Sequence, residues 1–233
     1  MKTRIGILTG GGDCPGLNAA IKSVVRSALN GMFSRQRKTD FDVIGIRDGW
    51  KGLCETAIDT EETYKQYIMP LDEDLVRSWD LLGGTMLGTS RTNPFNPAAD
   101  RSALLLSNID RLAIDCLVAI GGEDTLGVAQ QLRRSGVRTV GIPKTIDRDL
   151  VGTDYTLGFE SAVQVITEEV DRLRTTAGSH NRIFVVETMG RHAGWLALQS
   201  GMAVCADAVL IPEIPYDLQR VATTLREKLR AGQ

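Results

Sequence analysis

The sequence predicts an α/β fold in which a parallel sheet is sandwiched by helices in a Rossmann-like arrangement, and three features of the 233-residue chain support it. Short runs rich in β-branched residues alternate with stretches whose apolar residues recur at helical spacing. The short runs are apolar throughout rather than at every second position, which is typical of strands buried on both faces. Glycines follow several of these runs directly, where a strand turns into the next helix.

Composition narrows the class of protein. A hydrophobic share of 42%, a charged share of 24% and a net charge of −2 are typical of a globular protein. Basic residues do not form a stripe interleaved with aromatics, so nucleic acid is not an expected partner. No segment approaches the ~18 consecutive apolar residues of a membrane span, so no membrane partner is expected either. The four widely spaced cysteines lack a CxxC pair, which favours a reducing, cytoplasmic location over a disulfide or zinc scaffold.

Strands and helices are predicted in alternation. We expect strands at residues 5–9, 42–46, 116–120, 139–143, 182–187 and 208–211. Helices are expected from Leu17 to a stop at Gly31, and at residues 125–135, 159–175, 194–205 and 217–230. Residues 51–82 are less regular and predict a helical connection, and residues 35–39 predict a polar surface loop.

The first candidate site is the glycine-rich turn at residues 10–16. In open parallel sheets, ligands bind beyond the carboxyl ends of the strands, where this turn lies. It matches neither GxGxxG, because Pro15 occupies the third glycine position, nor the P-loop pattern. A glycine turn that leads into a helix still offers backbone N–H groups and a helix dipole to a phosphate. The alternative is a tight connection without a ligand.

A second glycine turn carries two carboxylates. Gly121 and Gly122 are followed by Glu123 and Asp124. Acidic side chains beside a phosphate-binding turn are explained if Mg²⁺ lies between them, since Mg²⁺ takes one or two carboxylates together with substrate phosphates. Alternatively, one carboxylate caps the helix that follows.

The segment after the strand at 139–143 supplies cations and carboxylates together. Lys144, Asp147, Arg148 and Asp149 lie within six residues. In an extended conformation Asp147 and Asp149 would point to one side and Arg148 to the other. One carboxylate could accept a proton from an attacking hydroxyl while the cations neutralise the transferring charge. The alternative is a solvated charge run with internal ion pairs.

Three arginines could hold phosphate groups through bidentate hydrogen bonds. Arg91 follows a turn rich in glycine and hydroxyl residues, Arg182 opens a predicted strand, and Arg191 follows Gly190. Each one, taken singly, is better explained as a surface residue. His180 and His192 are too few for a histidine-based metal site, and neither is assigned a catalytic role.

Taken together, these motifs resemble the phosphofructokinase family. The matching segments are Gly11-Gly12-Asp13-x-Pro15-Gly16-x-Asn18, Gly121-Gly122-Glu123-Asp124, Thr145-Ile146-Asp147-x-Asp149, Gly152-Thr153-Asp154-Tyr155-Thr156-x-Gly158-Phe159 and Met189-Gly190-Arg191. They occur in family order across nearly the whole chain. Each segment alone is a weak signal, but five in register make coincidence a poor explanation.

The resemblance implies the roles of particular residues. Asp147 would take the proton from the 1-hydroxyl of fructose 6-phosphate, within a catalytic set of Lys144, Thr145, Asp147 and Asp149. The phosphoryl donor would contact Gly11, Gly12, Arg91, Gly122, Asp124 and Thr125, and Glu123 would bind or orient Mg²⁺. The sugar phosphate would contact Thr145, Asp147, Arg182, Met189, Gly190 and Arg191. Arg182 would reach the substrate of a neighbouring subunit, which implies a homo-oligomer, either a dimer or a tetramer.

Two positions favour pyrophosphate over ATP as the donor. Members of the family that use ATP generally have glycine at the positions of Asp124 and Lys144, whereas the pyrophosphate-using branch resembles this chain at both. A carboxylate at 124 would repel the α-phosphate of a nucleotide, and the Lys144 ammonium would offset the charge of pyrophosphate. The ATP-dependent reaction remains the alternative within the class.

The resemblance also frames the domain organisation and the departures from the family. Residues 1–158 are expected to bind the donor and Mg²⁺, and residues 159–233 to form a sugar-phosphate domain truncated at its C-terminus. The family usually has Asn where this chain has Arg148, which could pair with a neighbouring aspartate or point away. A non-catalytic phosphate-binding subunit or remnant is therefore the alternative from another class. A kinase of the NAD kinase type is disfavoured by the segments around Asp147 and Met189.

Overall fold

A computed structural model of the protein describes residues 2–30 and 41–231. The chain divides into two compact units, residues 1–144 and 145–233. The sequence places a functional boundary after residue 158, and that assignment of roles to domains stays a prediction. The predicted helix end at Gly31 and the polar loop at 35–39 lie outside the described residues.

The first unit is built on a sheet whose strands run in the order β3-β2-β1-β4-β5. The strands are β1 (Thr3–Thr9), β2 (Phe41–Ile46), β3 (Ile68–Pro70), β4 (Cys116–Gly121) and β5 (Thr139–Thr145). All pairs are parallel except β2 with β3, which is antiparallel. Because β1 and β4 lie side by side and parallel, the turns that follow them emerge at the same edge of the sheet.

Helices cover this sheet and bury its central strands. They are α1 (Leu17–Asn30), α2 (Lys51–Cys54), α3 (Glu61–Tyr67), α4 (Ser102–Arg111) and α5 (Glu123–Arg134), with a 3₁₀ turn at Trp79–Leu81. The core includes Leu8, Ile44, Trp50, Leu105 and Leu117, each at most 1% exposed. The predicted α/β class is confirmed, and so are the predicted strands and helices of this unit.

Two elements of the first unit were not predicted. β3 has three residues and ends at Pro70, so it is too short to show a periodic pattern. Helix α4 buries Leu105 and Ile109 together with the polar Asn108, whose amide donates to the carbonyls of Leu53 and Thr56. A buried asparagine interrupts the apolar pattern by which a helix is predicted. Its amide is buried because residues of α2 and of the turn that follows accept its hydrogen bonds.

The described part of the second unit, residues 145–231, contains a two-residue strand and three helices. These are β6 (Leu157–Gly158), α6 (Phe159–His180), α7 (Trp195–Ala203) and α8 (Leu218–Arg230). The three helices are predicted correctly, and α8 begins where Asp217 accepts a hydrogen bond from the backbone N–H of Gln219 at 2.8 Å. Across residues 2–30 and 41–231, no helix is long and apolar enough to cross a membrane.

The strands predicted at 182–187 and 208–211 are wrong. Neither segment forms a strand in the described part of the chain, and Val185 is 92% exposed. An apolar run becomes a strand only when a neighbouring strand takes up its backbone hydrogen bonds, which the local pattern cannot reveal.

Candidate active site

The turn after β1 is held against two neighbouring segments by its backbone. Gly10 N–H donates to the Ile120 carbonyl of β4 at 2.9 Å, and Gly11 N–H donates to the Ser90 carbonyl at 3.1 Å. Gly11 has a φ of +80°, a left-handed conformation that side chains other than glycine rarely adopt. The turn therefore has a fixed path at the carboxyl edge of the sheet.

The two glycine turns, residues 10–16 and 121–122, approach each other around Thr125. A Cβ at Gly10 would lie 2.4 Å from Thr125 Oγ1, and a Cβ at Gly121 would lie 2.4 Å from Thr125 Cβ. Thr125 is 4% exposed, so its side chain fills the space that the two glycines leave open. Glycine at 10 and 121 is therefore a packing requirement, and donor contact by Thr125 stays a prediction.

Lys144 brings a cation to the first glycine turn. Its side chain is 5% exposed, and its Nζ donates to the Gly12 carbonyl. A Cβ at Gly11 would lie 3.4 Å from the same Nζ, whereas no described atom other than chain neighbours lies within 4 Å of a Cβ at Gly12. Gly12 is exposed, so an anion that reached this turn would meet open backbone with a buried ammonium beside it.

Hydroxyl and amide side chains connect the first glycine turn to residues 82–90. Thr89 Oγ1 donates to the Gly11 carbonyl at 2.5 Å, and Thr9 Oγ1 donates to the Gly88 carbonyl at 2.7 Å. Asn18, 1% exposed, accepts from the Met86 N–H at 2.8 Å. Asn18 has no role among the sequence-based predictions, although it lies in the motif at residues 11–18. Arg91, which follows this segment, is exposed.

The first turn of α5 presents two exposed carboxylates. Its N-cap residue is Gly122, which has no side chain, and Glu123 and Asp124 occupy the positions that follow. The capping role considered for these carboxylates is thus not the arrangement found. The N-terminus of a helix carries a partial positive charge and unpaired N–H groups, which stabilise these acidic residues and also attract phosphate.

Burial changes the acidity of the thiol in the first glycine turn. Cys14 is 5% exposed, and desolvation raises the pKa of its thiol to about 11, with Lys144 opposing the shift and Asp13 adding to it. The thiol therefore remains protonated at neutral pH.

A second group of predicted site residues, the acid loop (residues 145–149), lies in the second unit. Thr145 Oγ1 accepts from the Asp147 N–H at 3.1 Å and donates to Asp149 Oδ1 at 3.1 Å. The Thr145 carbonyl accepts from Thr156 Oγ1 at 2.8 Å. Thr145 thus connects both aspartates to the segment that leads into α6.

The acid loop is not extended, which corrects the expected alternation of side chains. Arg148 has a φ of +53°, so the backbone turns between the two aspartates. The Arg148 guanidinium carbon lies 5.2 Å from the ring centroids of both Phe159 and Trp195. Its Nη2 donates to the Asp154 carbonyl at 3.3 Å. Of the two alternatives for Arg148, pointing away from the aspartates is the one found.

The predicted sugar-phosphate residues lie on the connections that follow α6. Arg182 continues from the end of that helix, where its N–H donates to the Ala177 carbonyl at 3.0 Å. Gly190 has a φ of +136°, and a Cβ there would lie 2.3 Å from the Ala193 carbonyl oxygen. The side chains of Arg182, Met189 and Arg191 are exposed. Their predicted contacts with substrate stay predictions.

Comparison with known proteins decides the family. The family model for phosphofructokinase matches residues 4–233. The chain belongs to the phosphofructokinase family. It is 48% identical over 232 residues to a pyrophosphate–fructose 6-phosphate 1-phosphotransferase of Dictyoglomus thermophilum, covering 100% of this chain and 62% of that one. It is 45% identical to an ATP-dependent 6-phosphofructokinase 3 of Bacteroides thetaiotaomicron, covering 99% of this chain and 65% of that one.

Solved structures of the family share the fold. The phosphofructokinase of Saccharomyces cerevisiae matches with a TM-score of 0.81 and 33% identity, covering 99% of this chain and 32% of that one. This phosphofructokinase-family chain spans about 62% of the length of the first curated relatives that it matches.

Proposed function

We propose that the protein transfers a phosphoryl group from Mg-pyrophosphate to the 1-hydroxyl of fructose 6-phosphate, giving fructose 1,6-bisphosphate. Membership of the phosphofructokinase family supports the reaction class. Relatives named for pyrophosphate and relatives named for ATP match at similar identity, 48% and 45% for example. The choice of donor therefore rests on residues of this chain.

The observation that carries the choice of donor is the position of Lys144. Lys144 is 5% exposed and its Nζ donates a hydrogen bond to the Gly12 carbonyl, so a fixed positive charge lies beside the open glycine turn. That charge is suited to a compact, highly charged diphosphate. Asp124 adds an exposed carboxylate to the first turn of α5, which would repel the α-phosphate of a nucleotide.

The donor would be bound mainly by backbone groups. Gly12 and Gly122 bring backbone N–H groups to the edge of the sheet, and the N-terminus of α5 adds its dipole. Gly11 contributes through the left-handed turn that places them, because its own N–H donates to the Ser90 carbonyl. In the proposed site Arg91 pairs with a phosphate oxygen and Thr125 keeps the two glycine turns at their spacing. These contacts place the donor without a base or sugar pocket, as a diphosphate requires.

Glu123 and Asp124 fit Mg²⁺ in their donor chemistry. Within residues 2–30 and 41–231, no group of three or more His, Cys, Asp or Glu side chains could hold a metal by itself. Mg²⁺ requires only one or two carboxylates when substrate phosphates and water complete its shell, and the two exposed carboxylates of α5 supply these oxygens. When bound, the ion would neutralise charge on the phosphoryl oxygens.

The acceptor would be activated by the acid loop. Asp147 takes the proton from the 1-hydroxyl as that oxygen attacks, and Thr145 and Asp149 orient the aspartate and the sugar. Met189, Gly190 and Arg191 hold the 6-phosphate, with Arg191 supplying a planar guanidinium for bidentate binding. Arg182 acts on the substrate of a neighbouring subunit, so the proposed enzyme is a homo-oligomer, either a dimer or a tetramer. Its proposed location is the cytoplasm.

The test measures formation of the bisphosphate by the 233-residue protein with pyrophosphate and, separately, with ATP. We expect turnover with pyrophosphate and about 5- to 150-fold lower kcat/KM with ATP, because one mispaired charge costs on the order of 1–3 kcal/mol. The double variant Asp124→Gly with Lys144→Gly should raise the use of ATP. Lys144→Met is the matched control, because it keeps the buried stem without the charge. It should lower kcat/KM for pyrophosphate and leave kcat/KM for ATP unchanged.

Two other outcomes would replace this proposal. Higher kcat/KM with ATP than with pyrophosphate would favour an ATP-dependent 6-phosphofructokinase, as the names of some relatives would suggest. Binding of pyrophosphate by calorimetry without turnover in the coupled assay would favour a non-catalytic phosphate-binding subunit.

A further inference from the structure

Arg148 has a backbone conformation that costs free energy for its residue type. Its φ of +53° is left-handed, and a residue with a long side chain adopts this region rarely because Cβ approaches the following carbonyl oxygen. Such a conformation persists only where the surroundings hold it. The contacts of Arg148 within the second unit should therefore account for its left-handed backbone conformation.

The guanidinium of Arg148 lies against two aromatic rings. Its central carbon is 5.2 Å from the ring centroids of both Phe159 and Trp195, within the range of cation–π attraction. Phe159 is 2% exposed and begins α6, whereas Trp195 begins α7 and is 44% exposed. We call this group of three side chains the Arg148 stack. It attaches the acid loop to the first residues of two helices.

The backbone at Arg148 determines how the two aspartates of the acid loop are related. Asp147 and Asp149 flank it directly, so rotation about its φ would move one carboxylate relative to the other. The Thr145 hydroxyl bonds the Asp147 N–H and the Asp149 carboxylate, each at 3.1 Å. One hydroxyl can reach both groups only because the chain turns between them.

We propose that Arg148 is a positioning residue that acts through the Arg148 stack. The stack holds the left-handed turn, the turn brings Asp149 to the Thr145 hydroxyl, and Asp147 is thereby oriented for proton transfer. The catalytic part of this inference rests on the proposed function. The guanidinium does not serve as a substrate ligand in this account, so its loss should act on kcat rather than on KM.

The experiment compares Arg148→Ala, Trp195→Ala, Trp195→Phe and the Arg148→Ala/Trp195→Ala double variant of the 233-residue protein. Loss of a cation–π contact predicts a fall in kcat of about 3- to 30-fold for each alanine variant, with KM for fructose 6-phosphate nearly unchanged. The kcat of the double variant should be no lower than that of Arg148→Ala alone. Trp195→Phe keeps a ring and should retain most of the turnover. Arg172→Ala, which removes an exposed guanidinium from α6, is the matched control and should leave kcat unchanged.

Two further readouts do not require turnover. Trp50 and Trp79 are buried, at 1% and 3% exposed, so acrylamide quenching of fluorescence reports mainly on Trp195. Arg148→Ala should increase that quenching and should speed deuterium exchange in peptides covering residues 145–159. If wild-type protein shows no phosphoryl transfer but both changes occur, the proposed function fails and the stack as a brace of the acid loop stands.

Three results would overturn the proposal. One is unchanged quenching and exchange in Arg148→Ala, because the stack would then not hold the loop. Another is additive losses of kcat in the double variant, since independent effects cannot pass through one contact. The third is a rise in KM with kcat preserved, which would make Arg148 a substrate ligand instead.

Discussion

The glycine turns of the first unit are shaped by backbone sterics, whereas the acid loop of the second unit is held by side chains. Gly10 and Gly121 leave the space that Thr125 fills, and Gly10 is bonded to the neighbouring strand. The acid loop instead depends on the Thr145 hydroxyl and on the Arg148 stack. A small substitution at Gly10 or Gly121 should therefore disturb folding, whereas a small substitution in the acid loop should disturb the chemistry.

The largest effect is expected from Asp147→Asn in the acid loop. The amide cannot accept the hydroxyl proton, so kcat should fall on the order of 10²–10⁴-fold while KM for fructose 6-phosphate changes little. The side chain keeps its size, so the thermal unfolding midpoint should remain close to that of the wild-type protein. Near-normal turnover would remove Asp147 from the role of base and would weaken the contrast between the two regions.

A smaller effect, on folding alone, is expected from Gly10→Ala. Its Cβ would lie 2.4 Å from Thr125 Oγ1, a buried and branched neighbour, so overpacking should lower the free energy of unfolding by about 1–3 kcal/mol. Gly12→Ala is the matched variant, because no described atom beyond its chain neighbours lies within 4 Å of the added Cβ. It should unfold like the wild-type protein and raise KM for the donor. Urea unfolding compares the two, and equal stability of both variants would contradict the packing argument.

The same contrast explains what the sequence could predict. Glycines directly after a strand indicate a turn at the carboxyl edge of a sheet, and both glycine turns lie there. The start of α8 could also be predicted, because aspartate is a common N-cap residue and Asp217 lies just before an amphipathic stretch. Signals of this kind are local in sequence and need no knowledge of the packing.

The features that were missed depend on residues far apart in the chain. Arg148 and Trp195 are in contact although α6 lies between them in the sequence. No local pattern relates a cation to a ring so distant along the chain. Thr125 was predicted as a donor contact, and its close fit to two glycine turns becomes visible only when β1 and β4 are side by side. The apolar runs at 182–187 and 208–211 read as strands because pairing is a property of neighbours and not of the run itself.

The smallest effect concerns how closed the first glycine turn is to solvent. Burial raises the pKa of Cys14 to about 11, so at pH 8.5 it should hold about 75-fold less thiolate than a cysteine at its ordinary value of 9.0. Iodoacetamide should therefore modify the exposed Cys205 well before Cys14, as peptide mass spectrometry would resolve. The raised pKa favours the folded protein fully below pH 9, and this contribution is lost as pH rises from 9 through 11. Equal modification of both cysteines in folded protein would mean that the turn opens readily, and the steric description of the first region would then fail.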